Sequence, residues 1–540
     1  MSRAVQTLLW CLLVLIGSSD LLSGQPPPEN RLPLEQWRQC KSEDHPAQAI
    51  VACSELIGSG NMANAALAEA FKDRGRAYFR KSDYDRAIED FDHALQIKPN
   101  YEDAFIARGS AYMLKQDYNR SIQDYDQALR LNPVSAKAFY GRGIANSYKG
   151  AYDQAIQDYD HALHLKPSDA DSLYGRGLAF MRKGDYDRAL QNYDEALRIN
   201  PAYVAALESR GWSYALKADY DRAIQNYSDA LQINSSDVGA LDGRGWSYAQ
   251  KGDYDHAIQD YDQALRLNPD LADAFYNRGR AYAHKRDYDP AIQDYTQAAR
   301  LKPSDPNVFD GLGSAYWHKS DYDRTIENYD QALQLSPIDD GALVGRGLAY
   351  WAEGDYDRAI QDYDQALRLK PNSPDALYTR GLVYESKRDH NRAIEDYSQA
   401  LRLKPIDADS LYQRGLAYAH KGDYEHAIQD YRQALRFNPR DLAAFYNRGL
   451  LYAQEGDYDR AIQDYDQALL IDPKFAVGFR FRSIAYAHKS FYRRAIADWG
   501  RWLWLRHGPL GITIRLFILT LTIALGFGFK RFNKRRAVRP

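Results

Sequence analysis

The sequence predicts an all-α solenoid, thirteen stacked copies of one 34-residue helix pair, with a C-terminal transmembrane helix after them. Three observations predict it. A marker tyrosine recurs at Tyr84, Tyr118, Tyr152, Tyr186, Tyr220, Tyr254, Tyr288, Tyr322, Tyr356, Tyr424, Tyr458 and Tyr492 on a 34-residue grid, with His390 taking the slot once. Apolar side chains within each copy fall at helical spacing, as in Ala257, Ile258, Tyr261, Ala264 and Leu265. Near the end, the run PLGITIRLFILTLTIALGFGF carries a single charge, Arg515.

Composition agrees with a repeat. A chain of 540 residues would ordinarily hold several unlike domains, yet it has 43 Tyr against 4 Met and 3 Cys. Hydrophobic residues at 45% and charged residues at 26% can build a core. A net charge of −3 argues against a nucleic-acid binder driven by bulk charge. Three cysteines exclude a disulfide-dense scaffold and any site that needs four cysteine ligands.

The elements follow in order. Residues 1–24 read as a signal peptide: Arg3, a short apolar run from Leu8 to Ile16, then Gly17, Ser18 and Ser19. Residues 25–33 form a Pro-rich spacer. Residues 34–67 read as a degenerate capping helix pair, because terminal repeats are atypical. The thirteen copies occupy 68–508. Residues 509–529 have the length and apolarity of a membrane span, with Trp499, Trp502 and Trp504 before it. The tail, 530–540, is basic, which assigns it to the cytoplasmic side. The expectation is a single-pass membrane protein with the repeats on the exported side, in the periplasm at a bacterial inner membrane, and its C-terminus cytoplasmic.

Positions are counted from the first residue of each copy, at 68, 102, 136 and so on. In the copy that starts at Ala136, Gly143 stands at position 8, Ala155 at 20, Tyr159 at 24, Ala162 at 27 and Pro167 at 32. Asp at position 16, as in Asp185 and Asp253, suits an N-cap after a turn glycine. Pro at 32 ends the second helix, and Pro290 falls in a first helical turn, where it is tolerated. Period, small residues and proline together closely resemble the tetratricopeptide-repeat family over some 440 residues. The resemblance implies two antiparallel helices per repeat and a right-handed superhelix whose groove is lined by the first helices.

Tyrosines at positions 11, 17 and 24 are expected in the core. The resemblance places position 5 on the groove: Tyr140, Tyr174, Tyr276, Tyr378, Tyr412 and Tyr446. It places there the acidic position 2, with Asp171, Asp273, Asp375 and Asp409. Positions 9 and 12 follow, with Trp212, Trp246, Trp317 and Trp351. Such a groove suits a protein or peptide with basic or apolar side chains. Of the family's chaperone-tail clamp, which uses Lys and Asn, only Lys72 is present at position 5. Arg stands at position 7 in twelve copies, with Leu312 the exception, and is read as pairing with Asp of neighbouring second helices.

Cys40 and Cys53 are the cysteines left once the leader is removed, and an oxidising compartment would join them. No P-loop, dinucleotide fingerprint, nucleophile elbow or H-E-x-x-H motif occurs, so no catalytic residue, cofactor or enzyme activity is expected. His284 and His318 share position 13, as do His420 and His488, but without a third ligand beside them no metal site is assigned. The functional expectation is a membrane-tethered scaffold for protein–protein interaction or complex assembly, with no nucleic acid. The alternative is an accessory to envelope glycan or polymer assembly and export, stacking saccharide on the groove aromatics.

Overall fold

The computed structural model describes residues 34–60 and 62–506, and all regular structure among them is helical. The chain divides after Arg286 into two compact units. The first holds α1 (Leu34–Cys40), α2 (Pro46–Gly58) and the repeat helices from Asn64–Arg80 to Ala272–His284. The second runs from Tyr288–Leu301 to Ala476–His488, with further helix over 492–506. Within each unit a helix packs on those before and after it, and first helices of successive repeats also touch. Examples are Glu102–Leu114 on Ala136–Lys149 in the first unit and Pro306–His318 on Asp340–Glu353 in the second.

Local chemistry sets the helix ends. The first helix Ala170–Arg182 stops at a turn in which Gly184 adopts φ 80°, and the second, Tyr186–Ile199, starts after Asp185. The Asp185 carboxylate accepts the Arg188 N–H at 3.1 Å and so satisfies one of the free donors of the first turn. Asp287 lacks this bond because position 19 there is Pro290, which has no N–H; the helix Tyr288–Leu301 still forms unbroken. At the other end Asn200 lies at φ −128°, ψ 90°, extended as the residue before Pro201 must be. The turn residue at position 15 has positive φ in all thirteen repeats, yet seven of these are not glycine: Ser82, Gln116, Ala218, Arg286, Ser320, Arg388 and Ser490.

Position 24 forms the core of the first twelve repeats. Tyr193 is fully buried between Ala189 and Ala196, and its ring lies against Gly177. A Cβ on Gly177 would stand 2.7 Å from Tyr193 Cε1, so the missing side chain is what lets the two helices close. Position 17 is half-buried in twelve repeats and packs against the core from its edge, as Tyr84, Tyr118, Tyr356 and Tyr458 do, while Tyr492 is exposed. The position-17 ring lies on position 13 of the next repeat, as in Tyr254 on His284 at 5.0 Å and Tyr458 on His488 at 4.5 Å. The site is a repeat-to-repeat stack at the edge of the core.

The arginine at position 7 is structural, as its regularity implied. Arg108 grips Asp124, sixteen residues on, through Nε (2.9 Å) and Nη2 (2.6 Å), and reaches Asp92, sixteen residues back, through Nη1 (2.5 Å). Arg142, Arg346, Arg380 and Arg482 repeat the arrangement. One guanidinium thus ties its own second helix to that of the preceding repeat, in the bidentate geometry that its planar fork favours. Where Leu312 replaces the arginine, the two carboxylate slots hold Thr296 and Asn328. Both turn their side chains back on their own helices, Thr296 to the Ile292 carbonyl and Asn328 to the Arg324 carbonyl. A second set of ion pairs spans thirty residues, from Lys115 to Asp85, Lys251 to Asp221 and Lys387 to Asp357.

The expected solenoid with a transmembrane helix is corrected to a helical repeat array, the architecture of the described residues. No helix among the described residues is long and apolar enough to cross a membrane. The repeat helices are mostly 13 or 14 residues and two-faced, about 20 Å at 1.5 Å per residue, against a hydrocarbon layer of about 30 Å. The single-pass topology, with exported repeats and a cytoplasmic C-terminus, is corrected on the same finding. The segments on which those expectations rested, 1–24, 509–529 and 530–540, lie outside the described residues, as does the spacer 25–33.

Candidate functional site

The position-5 tyrosines lie on the first helices and lean inward. Tyr140 is buried, and Tyr174, Tyr276, Tyr378, Tyr412 and Tyr446 are half-buried. Each of five packs on the core tyrosine of its own repeat, at centroid distances of 6.0 Å (Tyr140–Tyr159 and Tyr174–Tyr193), 5.9 Å (Tyr378–Tyr397), 5.7 Å (Tyr412–Tyr431) and 6.4 Å (Tyr446–Tyr465). Tyr276 lies under the Arg280 guanidinium at 5.8 Å. The hydroxyls reach the following repeat. Tyr412 accepts from Asn447 Nδ2 at 2.9 Å, and Tyr174 meets Ser209 Oγ at 3.4 Å. The ladder is therefore part of the packing within and between repeats, and five of its six members keep some exposed surface.

The carboxylates divide. Asp273, Asp375 and Asp409 are exposed, whereas Asp171 accepts a hydrogen bond from the Tyr203 hydroxyl at 2.8 Å. Each unit holds two of the four tryptophans. Trp212 and Trp246 meet at 5.6 Å in the first unit, tilted by 55°. In the second unit Trp317 leans on Tyr322 at 5.3 Å, and Trp351 Nε1 donates to Ser386 Oγ at 3.0 Å. Lys72 is buried in an ion pair with Asp73 at 3.1 Å and is not presented to a ligand.

Two functional candidates escaped the sequence reading although they occupy the same slot. Asp242 and Asp310 stand at position 5, where six copies have tyrosine. Each has one carboxylate oxygen buried without a hydrogen-bond partner. Burial and then the neighbouring Asp273 raise the Asp242 carboxyl to about 6. Burial and Asp339 raise that of Asp310 to about 7. The signal was available: an aspartate in a slot that six copies fill with tyrosine marks an altered environment.

One small cleft gathers three of the expected residues. Asp375, Tyr378 and Asp409 line it with Lys404 and Asp407, around a space of about 140 Å³. Lys404 pairs with Asp407 at 3.3 Å, which leaves Asp375 and Asp409 as uncompensated carboxylates at its mouth. The volume suits one side chain rather than a whole small molecule. At the N-terminal end Cys40 and Cys53 are joined between α1 and α2, both buried, with Leu56 and Ala52 beside them.

Fold and face together define a helical-repeat protein with an aromatic and acidic surface on its first helices. Models of the tetratricopeptide repeat match residues 68–101, 170–203, 272–305, 374–407 and 443–475, and a further one matches 307–339. The TPR repeat model matches 109–147, 148–184, 245–285, 347–387 and 415–456. These cover well over half of the chain, and it belongs to the tetratricopeptide-repeat family. No curated protein matches it. Among solved structures, the APC/C hetero-tetramer Cut9–Hcn1 is 17% identical over 81% of this chain and 93% of that one, with a TM-score of 0.37. Yeast Tom70 is 18% identical over 80% and 97%, at 0.34. YrrB, a TPR protein with an unusual peptide-binding site, is 26% identical over 33% and 92%, at 0.30.

Proposed function

We propose that this protein is a scaffold for protein–protein interaction. Its first-helix face between residues 374 and 447 receives a partner segment carrying a basic side chain next to apolar ones. The cleft of Asp375, Tyr378 and Asp409 carries the reading. It is sized for one side chain, and its carboxylates outnumber its single ammonium. A Lys or Arg entering it gains two carboxylates and an aromatic wall, while the half-buried edges of Tyr412 and Tyr446 continue the surface for apolar neighbours. Charge of this kind sets specificity and association rate more than raw affinity, so binding should weaken with salt.

The test is selection of displayed peptides on the full chain, followed by titration of the best binder. The expected motif has Lys or Arg at one fixed position beside apolar residues. Asp375→Asn with Asp409→Asn should weaken it by at least about tenfold, a loss of about 1.4 kcal/mol, with melting unchanged. Enrichment of acidic peptides, or equal affinity in the double variant, would overturn the reading.

A further inference from the structure

Repeat ten departs from the pattern at two slots at once, and both departures meet one residue of repeat eleven. Position 17 is tyrosine in twelve repeats and His390 in this one. Position 12 is Ala, Ser, Met, Phe or Trp everywhere else and Glu385 here. In the fold the position-17 ring lies against position 13 of the next repeat, and that residue is His420. The contact that elsewhere stacks Tyr254 on His284 nearly flat, at 3°, here brings two imidazoles together at 5.3 Å and 51°. The rings are tilted because each turns an edge to the same carboxylate. His390 Nδ1 lies 2.6 Å from one Glu385 oxygen, and His420 Nδ1 lies 2.9 Å from the other.

We infer that Glu385, His390 and His420 form a binding site for a divalent transition-metal ion of the zinc class. The three ligand atoms already lie within 4.8 Å of one another. A tetrahedral ion with bonds of about 2.0–2.1 Å needs them about 3.3 Å apart, a closure that side-chain rotation can supply. Two imidazoles and a carboxylate suit zinc, nickel or copper, and disfavour calcium and magnesium, which take oxygen ligands. The carboxylate forms the floor, with 11% of its side chain exposed, and His390 (25%) and His420 (49%) form the rim. An ion would thus enter from solvent and keep a fourth position for water or for a group of a bound partner. Its ligands come from two successive repeats, so it would also clamp repeat ten to repeat eleven.

The chain itself supplies variants that should fold. His390→Tyr restores the residue of the other twelve repeats; Glu385→Ala matches six repeats; His420→Gln matches Gln250 and Gln454. The experiment is calorimetric titration of the chelator-stripped full chain with zinc chloride, with cobalt absorption as a second readout. The expected result is one equivalent per chain and a tetrahedral cobalt spectrum. Each of the three variants should keep its helical circular dichroism and lose more than about 100-fold in affinity, since even outer-shell changes cost 10–100-fold. Zinc should raise the melting temperature of the parent and not of His390→Tyr. Absence of a one-equivalent event in the parent would overturn the proposal. So would unchanged affinity in His390→Tyr, or in His420→Gln, whose exposed side chain carries little of the packing.

Discussion

The Arg380 guanidinium donates twice to Asp396, Nε at 2.8 Å and Nη2 at 2.6 Å, and once to Asp364 of the preceding repeat at 2.5 Å. Asp396 is 4% exposed, so its charge depends on this partner. The Leu312 repeat shows the other stable solution, with Thr296 and Asn328 in the two acid slots.

Arg380→Leu alone should therefore destabilise the second unit by about 3–5 kcal/mol, because a buried carboxylate loses its counter-charge. Adding Asp396→Asn and Asp364→Thr copies the Leu312 set and should restore most of the loss. Denaturant unfolding followed by circular dichroism measures both. A triple variant no more stable than the single one would show that the pairing is not what holds these helices.

Gly177→Ala should cost about 1–3 kcal/mol, since the new methyl meets the buried Tyr193 ring at 2.7 Å and the core has no room to give. The thirteenth repeat carries Ser483 at this slot, and there position 24 is Trp499, 44% exposed. A melting temperature unchanged by Gly177→Ala would refute the close-approach account of position 8.

Asp310 sets a pH dependence whose sign can be worked out. Burial raises its folded-state carboxyl to about 7, above the ordinary value of 3.8. Between those limits the native chain holds a proton that the unfolded chain has lost, so stability falls as pH rises through that window. Asp310→Asn should raise the melting temperature at pH 8 and leave it nearly unchanged at pH 4. Equal effects at both pH values would mean that Asp310 keeps an ordinary carboxyl.

The bridge between Cys40 and Cys53 closes a loop of 13 residues. On the chain-entropy model this is worth about 3 kcal/mol. Both cysteines should resist alkylation in denaturant until a reductant is added. The double Cys→Ser variant should melt earlier in the segment 34–60. Immediate labelling of both would show free thiols.

The tyrosine ladder needs a milder substitution than alanine. Tyr378, Tyr412 and Tyr446 pack on Tyr397, Tyr431 and Tyr465, so removing the rings would damage the fold along with the face. The groove position that the sequence suggested is also a packing position. Period and residue type could not separate the two, because a half-buried ring on a first helix fits either pattern.

By itself the sequence determined the repeat. Its 34-residue period, the Asp caps, the small residues facing Tyr at position 24 and the arginine ladder were all legible. Each is a relation within one helix pair or at a constant spacing, and the register repeats it in most of the thirteen copies. The membrane helix, inferred from hydropathy at 509–529, finds no counterpart among the described helices. Tertiary structure decided which side chains meet across the stack, at separations of 30 and 35 residues. Lys387 meets Asp357, Tyr412 meets Asn447, and His390 and Glu385 meet His420. Those separations depend on how one repeat is rotated against the next, an angle set by helix packing that no residue spacing encodes. The sequence places His390 and His420 on the repeat grid, and the fold gives them a shared carboxylate.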